Sequence, residues 1–130
     1  MTMTVPTAAG MVADAKQRIE NLTVDEVSRE LNANNVVLVD IREAEECTAS
    51  GVISGAVHAP RGMIEFYADA TSPYFRPEFE TDRRIILYCA SGGRSALAAD
   101  ALQRLGFERV AHLDGGIKAW KAAGLPVSSV

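Results

Sequence analysis

The sequence predicts an α/β fold in which a mostly parallel sheet of four to five strands carries helices on both faces. Short, mainly apolar runs at Val36 to Val39, Arg84 to Tyr88 and Arg109 to Leu113 read as strands of a sheet covered on both faces. Stretches with helical periodicity separate them, and glycines follow the helices where a left-handed residue is wanted. Cys89 and a small-residue loop sit at the carboxyl end of one of these strands, the edge at which ligands bind in open parallel sheets.

The 130 residues suffice for one core without disulfides, and residues 1–18 read as a partly helical extension ahead of a domain spanning 19–130. Residues 1 to 7 lack periodicity and are expected to fray. Ala8 to Ile19 forms a helix built on Met11, Val12, Ala15 and Ile19. Thr23 and Glu26 make a capping box that starts the next helix, with Leu22 stapled against Val27. Asn32 to Asn35 ends it, and the following strand finishes at Asp40. A short helix from Arg42 to Thr48 leads to the strand Ala56 to Ala59, which Pro60 stops. Met63 to Ala68 supplies one or two helical turns, and Thr71 to Thr81 is an irregular excursion. Phe66, Tyr67, Tyr74 and Phe75 in this region form a pocket wall, a docking surface or a cover for the sheet edge. The last strand, Arg109 to Leu113, turns through Asp114-Gly115-Gly116 into a helix over Ile117 to Ala123.

Between the strand ending at Tyr88 and the helix carrying Leu97, Ala101, Leu102 and Leu105, the loop Cys89-Ala90-Ser91-Gly92-Gly93-Arg94-Ser95 is an anion cradle with a sulfur at its base. Gly92 and Gly93 allow left-handed backbone, and Arg94 adds a permanent charge. Cys89 is therefore the candidate nucleophile, with a depressed pKa, and residues 90 to 95 are the candidate substrate-binding residues. Cys47 lies among carboxylates that disfavour a thiolate, and reads as a passive thiol.

The stretch Val39-Asp40-Ile41-Arg42-Glu43, the segment Gly51 to Pro60, the loop Cys89 to Arg94, and Leu113-Asp114-Gly115-Gly116-Ile117-Lys118-Ala119-Trp120 together resemble the signatures of a single rhodanese domain, in the same order. The resemblance covers about Leu22 to Val127 and implies a rhodanese-like three-layer fold. It implies a sulfurtransferase in which Cys89 takes a sulfane sulfur from a donor such as thiosulfate and passes it, as a persulfide, to cyanide or a thiol. No metal and no organic cofactor is implied. Val52 stands where the family often has His, and Ala90 where many thiosulfate enzymes of the family carry a basic side chain, so weaker sulfonate binding is expected. Arg42 and Arg61 are candidates for the pocket rim, as an alternative to surface ion pairs with Glu43, Glu45 or Glu65. His58 and His112 have no partners at metal-ligand spacing and read as structural or surface residues.

Other functions fit the same residues. A persulfide carrier or a non-catalytic binding module would serve a partner protein. A phosphatase or arsenate reductase would need a Cys-x5-Arg loop, one residue longer than the span from Cys89 to Arg94. The formal net charge of −4, with scattered Lys and Arg, gives no footprint for nucleic acid. No apolar run is long enough for a membrane span and no secretory signal is apparent, so the expected location is the cytoplasm, where a free thiol persists.

Overall fold

The central strand Ile85–Tyr88 is fully buried, with alternate side chains entering opposite cores. Ile85 and Leu87 join one apolar cluster, Ile86 and Tyr88 the other, as the two-residue period of a strand demands. The computed structural model describes residues 6–130, so most of the end expected to fray lies outside the described residues.

In chain order the elements are α1 (Ala8–Lys16), β1 (Glu20–Leu22), α2 (Val24–Ala33), β2 (Val37–Asp40), α3 (Ala44–Ser50), β3 (Val57–His58), α4 (Ile64–Ala68), β4 (Ile85–Tyr88), α5 (Gly93–Arg104), β5 (Val110–Leu113) and α6 (Gly116–Ala122). The five strands pair in the order β1-β5-β4-β2-β3, and every pairing is parallel. Helices α1, α4 and α5 contribute to the core on one face, α2 and α6 to the core on the other. The α/β fold with helices on both faces is thus the one expected. Among the described residues no helix is long and apolar enough to cross a membrane.

Local chemistry sets the element boundaries. Thr23 Oγ1 accepts the Glu26 N–H while Glu26 accepts the Thr23 N–H, the capping box expected for α2. Asn34 ends that helix with φ +60°, a left-handed conformation that Asn tolerates. The strand β1 was not anticipated, because only Leu22 of its three residues is buried and no apolar run announces it. It exists because β5 offers an open edge, with Leu22 in register with Leu113. Thr71 to Thr81 is irregular apart from a 3₁₀ turn at Pro77–Phe79. Phe79 is buried there beside Tyr67, at a ring-centroid distance of 6.4 Å, whereas Phe66 and Tyr74 are exposed.

One buried ion pair closes the end of β2. Arg42, only 1% exposed, donates through Nε and Nη2 to Asp40 at 3.1 and 2.8 Å, through Nη1 to Ser50 Oγ at 2.7 Å and through Nη2 to the Gly51 carbonyl at 2.7 Å. This corrects the expectation that Arg42 leans over a pocket rim or pairs with a surface glutamate: the guanidinium clamps β2 to the end of α3. Burial acts to raise the Asp40 pKa, but hydrogen bonds from Arg42 and Tyr88 outweigh it and hold the carboxyl below its usual range.

Breaking this clamp leaves a buried carboxylate without a partner. Arg42→Met is expected to lower stability by about 3–5 kcal/mol in urea unfolding at neutral pH. A carboxyl with a depressed folded pKa contributes stability that is present above its unfolded value of ~3.9 and lost as pH falls through the folded value. The difference between wild type and variant should therefore narrow in unfolding curves taken below about pH 4.

Candidate active site

The carboxyl end of β4 delivers Cys89, and α5 begins four residues later at Gly93. Gly92 is the N-cap of α5 with φ +106°, and no side chain caps the helix. The first-turn N–H groups are therefore free for another acceptor, and that acceptor is sulfur. Cys89 Sγ accepts the Gly92 N–H at 3.2 Å and the Ser95 N–H at 3.4 Å, with Ser95 Oγ at 3.5 Å. The side chain is 1% exposed. Burial disfavours the thiolate, yet hydrogen bonds from the Ser95 side chain and from the Ser95, Gly92 and Ser91 N–H groups prevail and hold the thiol below its ordinary value.

A second helix start braces the loop from behind. Within α6 the Ile117 N–H donates to the Cys89 carbonyl at 3.0 Å and the Lys118 N–H to the Ala90 carbonyl at 3.1 Å. Such close approach requires Gly116, whose φ is +64° and at which a Cβ would stand 2.5 Å from the Ala90 carbonyl and 2.6 Å from the Cys89 oxygen. The Gly115-Gly116 pair is thus a backbone contact with the cysteine loop.

The structure sorts the remaining expected residues. Of the two loop glycines only Gly92 has a positive φ. Gly93 is the first residue of α5, and a Cβ there would meet Val12 Cγ2 at an ordinary 3.7 Å. The expectation that Gly93 needs left-handed backbone is corrected: Gly93 already lies in the first turn of the helix. Arg94 turns to α3, where Nη1 and Nη2 donate to Glu46 at 2.7 and 2.9 Å. Hydrogen bonding to Arg94 holds the Glu46 carboxyl down to about 2. Arg61 is bound by Glu65 at 2.8 Å. Cys47 is buried in α3 with Sγ 3.6 Å from Asp40 Oδ2, and burial followed by that carboxylate pushes its pKa up.

Sequence reasoning placed His112 outside the site, and the structure places it inside. Fully buried on β5, it presents Nδ1 to Ser95 Oγ at 2.8 Å and Nε2 to Asn21 Oδ1 at 2.8 Å. The signal available was register: β5 pairs with β4, and His112 falls beside Leu87, two residues before Cys89.

The domain is thus a parallel α/β sheet with a buried, hydrogen-bonded cysteine between strand and helix at its carboxyl edge. The chain belongs to the Rhodanese-like domain family, whose model matches residues 23–123. A sulfurtransferase of Allochromatium vinosum is 38% identical over 96 residues, covering 74% of this chain and 81% of the relative. A thiosulfate sulfurtransferase of Pseudoalteromonas translucida is 34% identical over 104 residues, covering 80% of this chain and 90% of the relative. Two other curated relatives are longer, and the chain spans less than half of their length. Among solved structures, a Rhodopseudomonas palustris protein of unknown function, described as a possible tyrosine phosphatase, matches with TM-score 0.89 and 40% identity, covering 98% of this chain and 99% of that one.

Gly92 and Gly93 should respond differently to the same methyl group. Gly92→Ala forces an L side chain into positive φ and puts Cβ 3.1 Å from the Gly115 nitrogen. It is expected to raise the Cys89 pKa by about one unit, the worth of one hydrogen bond to a charged acceptor. Gly93→Ala should leave it in place, as read from pH-dependent alkylation by iodoacetamide. Gly116→Ala should cost stability by about 3 kcal/mol, combining roughly 1–2 for left-handed backbone and roughly 1–3 for the clash, measured by urea unfolding.

Proposed function

We propose that the protein is a rhodanese-type sulfurtransferase that carries sulfane sulfur on Cys89. Family membership and the sulfurtransferases among its relatives support sulfur transfer in general. The observation that carries the mechanism is the buried Cys89 sulfur, held by fixed donors from the Ser91 to Ser95 turn. Such donors favour an anion on sulfur and need no reorganisation when it forms.

With thiosulfate as donor, the Cys89 thiolate attacks the outer sulfur. A bond forms between Sγ and that sulfur, the sulfur–sulfur bond of thiosulfate breaks, and sulfite leaves with its electron pair. The products, a Cys89 persulfide anion and sulfite, carry the same total charge as the reactants. In the second half-reaction cyanide or a thiolate attacks the outer sulfur, and Cys89 leaves as thiolate, completing a ping-pong cycle. The loop N–H groups serve both half-reactions by stabilising the negative end of the persulfide. Cyanide, thiols and thiosulfate remain the proposed small partners, with a protein thiol as a further acceptor.

Arg94 acts in this scheme as a brace, since both of its terminal nitrogens are engaged by Glu46. That arrangement, with a loop one residue shorter than Cys-x5-Arg, argues against a phosphoryl cradle and for a site the size of a single sulfur. The description of the Rhodopseudomonas palustris protein as a possible tyrosine phosphatase makes phosphatase activity the contrasting reading.

Incubation with thiosulfate followed by desalting should add one sulfur to Cys89, detected by intact-mass and peptide mass spectrometry and removed by cyanide. Cys89→Ser should take up none and turn over no thiosulfate, whereas Cys47→Ser should retain most of the wild-type rate. Sulfur uptake by Cys89→Ser, or hydrolysis of an aryl phosphate without any persulfide, would overturn the reading.

A further inference from the structure

Behind the cysteine lies a row of hydrogen bonds that sulfur transfer by the loop alone does not require. Cys89 Sγ is 3.5 Å from Ser95 Oγ, Ser95 Oγ is 2.8 Å from His112 Nδ1, and His112 Nε2 is 2.8 Å from Asn21 Oδ1. Asn21 precedes the segment that matches the family model, which begins at residue 23.

The directions of these bonds follow from chemistry. Asn21 Nδ2 donates to the carbonyls of Lys16 at 2.9 Å and Ile19 at 3.2 Å. Both carbonyls only accept, so the amide oxygen is the atom turned to His112. An oxygen there requires a proton on Nε2, which leaves Nδ1 of the neutral ring as an acceptor. The Ser95 hydroxyl then donates to Nδ1 at 2.8 Å, in preference to the more distant Gly92 carbonyl at 3.3 Å, and its oxygen accepts the thiol proton of Cys89. When Cys89 is ionised, Ser95 instead turns its single proton to sulfur, and two lone pairs face each other between Ser95 Oγ and Nδ1. A proton on Nδ1 resolves this conflict, and the Asn21 oxygen suits the ring in either state.

We propose that Ser95, His112 and Asn21 form a proton-transfer chain for Cys89. The thiol proton passes to Ser95 Oγ while the Ser95 hydroxyl proton passes to His112 Nδ1. The S–H electron pair stays on sulfur, the ring becomes an imidazolium, and nothing is oxidised or reduced. Ser95 alone of the three touches the reacting sulfur, and His112 and Asn21 are positioning residues that act through it. The inference rests on Cys89 being the sulfur carrier, but its test uses no sulfur donor, so the two readings fail separately.

The charges nearest this chain are themselves paired. Around His112, burial lowers the pKa to about 4, Asp114 opposes this, and Lys16 of α1 reinforces it. Lys16 and Asp114 are themselves paired at 2.8 Å. On the α5 side Arg94 is paired with Glu46 of α3. The ring is thus neutral near pH 7 with these groups in place, and a thiolate at Cys89 is a further negative charge that would favour its proton.

The chain contains two histidines, so the His112 resonances can be followed by NMR. His112 should titrate with a midpoint at least about one unit higher in the wild type than in Cys89→Ala, because coupling is reciprocal. Identical midpoints would overturn the proposal. The second readout is the Cys89 thiol midpoint from iodoacetamide alkylation in a Cys47→Ser background. Asn21 is exposed, and Asn21→Asp places a carboxylate against Nε2. If the relay operates, the carboxylate favours the imidazolium and lowers the thiol midpoint. If it acts only as a nearby negative charge, the midpoint rises, and the proposal falls. Loss of the hydroxyl in Ser95→Ala should raise the midpoint, and Ser95→Thr should restore it.

Discussion

Burial disfavours the anionic form of a thiol, and the N–H groups around Cys89 offset that cost. Burial by itself would push the Cys89 thiol up. The offset comes from neutral N–H groups whose positions are set by secondary structure rather than by mobile side chains, and fixed dipoles in a low-dielectric site are worth more than the same groups in water. Both helices that meet the loop start at left-handed glycines without side-chain caps, Gly92 for α5 and Gly115 for α6. Helices α1 and α2 have their first turns capped by Thr7 and Thr23. The free donors of these two starts serve the loop: those of α5 reach the sulfur, and those of α6 hold the Cys89 and Ala90 carbonyls.

Four ion pairs lie near this edge. Asp40 holds Arg42, Glu46 holds Arg94, Glu65 holds Arg61, and Asp114 holds Lys16. Their contributions differ with environment. The Asp40–Arg42 pair is buried and cannot lose one member without stranding the other. The half-exposed Glu46–Arg94 pair contributes less energy and more geometry, since its two parallel hydrogen bonds fix the start of α5 against α3.

The segment ahead of the family match is joined to the site. Val12 and Ala15 of α1 pack against the core beneath α5, Lys16 pairs with Asp114, and Asn21 on β1 reaches His112. The addition of β1 to the β5 edge brings Asn21 level with His112 in the register, so strand pairing supplies the alignment that the hydrogen bond needs.

Much of this was legible in the primary structure, because apolar runs, caps and glycines are local signals. The alternation of strand and helix, the capping box at Thr23, the cysteine loop after β4 and the low thiol pKa expected of it all follow from residues within a few positions of one another. Tertiary structure decided whatever depends on partners distant in sequence. The positive φ belongs to Gly92 and not Gly93 because the first turn of α5 closes around the sulfur. Arg42 is a buried clamp and Arg94 a brace because Asp40 and Glu46 are the carboxylates within reach once β2, α3 and α5 pack. The place of His112 depended on which face of β5 it occupies and on a short strand, β1, that has too little apolar pattern to announce itself and forms only because a finished sheet leaves an edge to pair with.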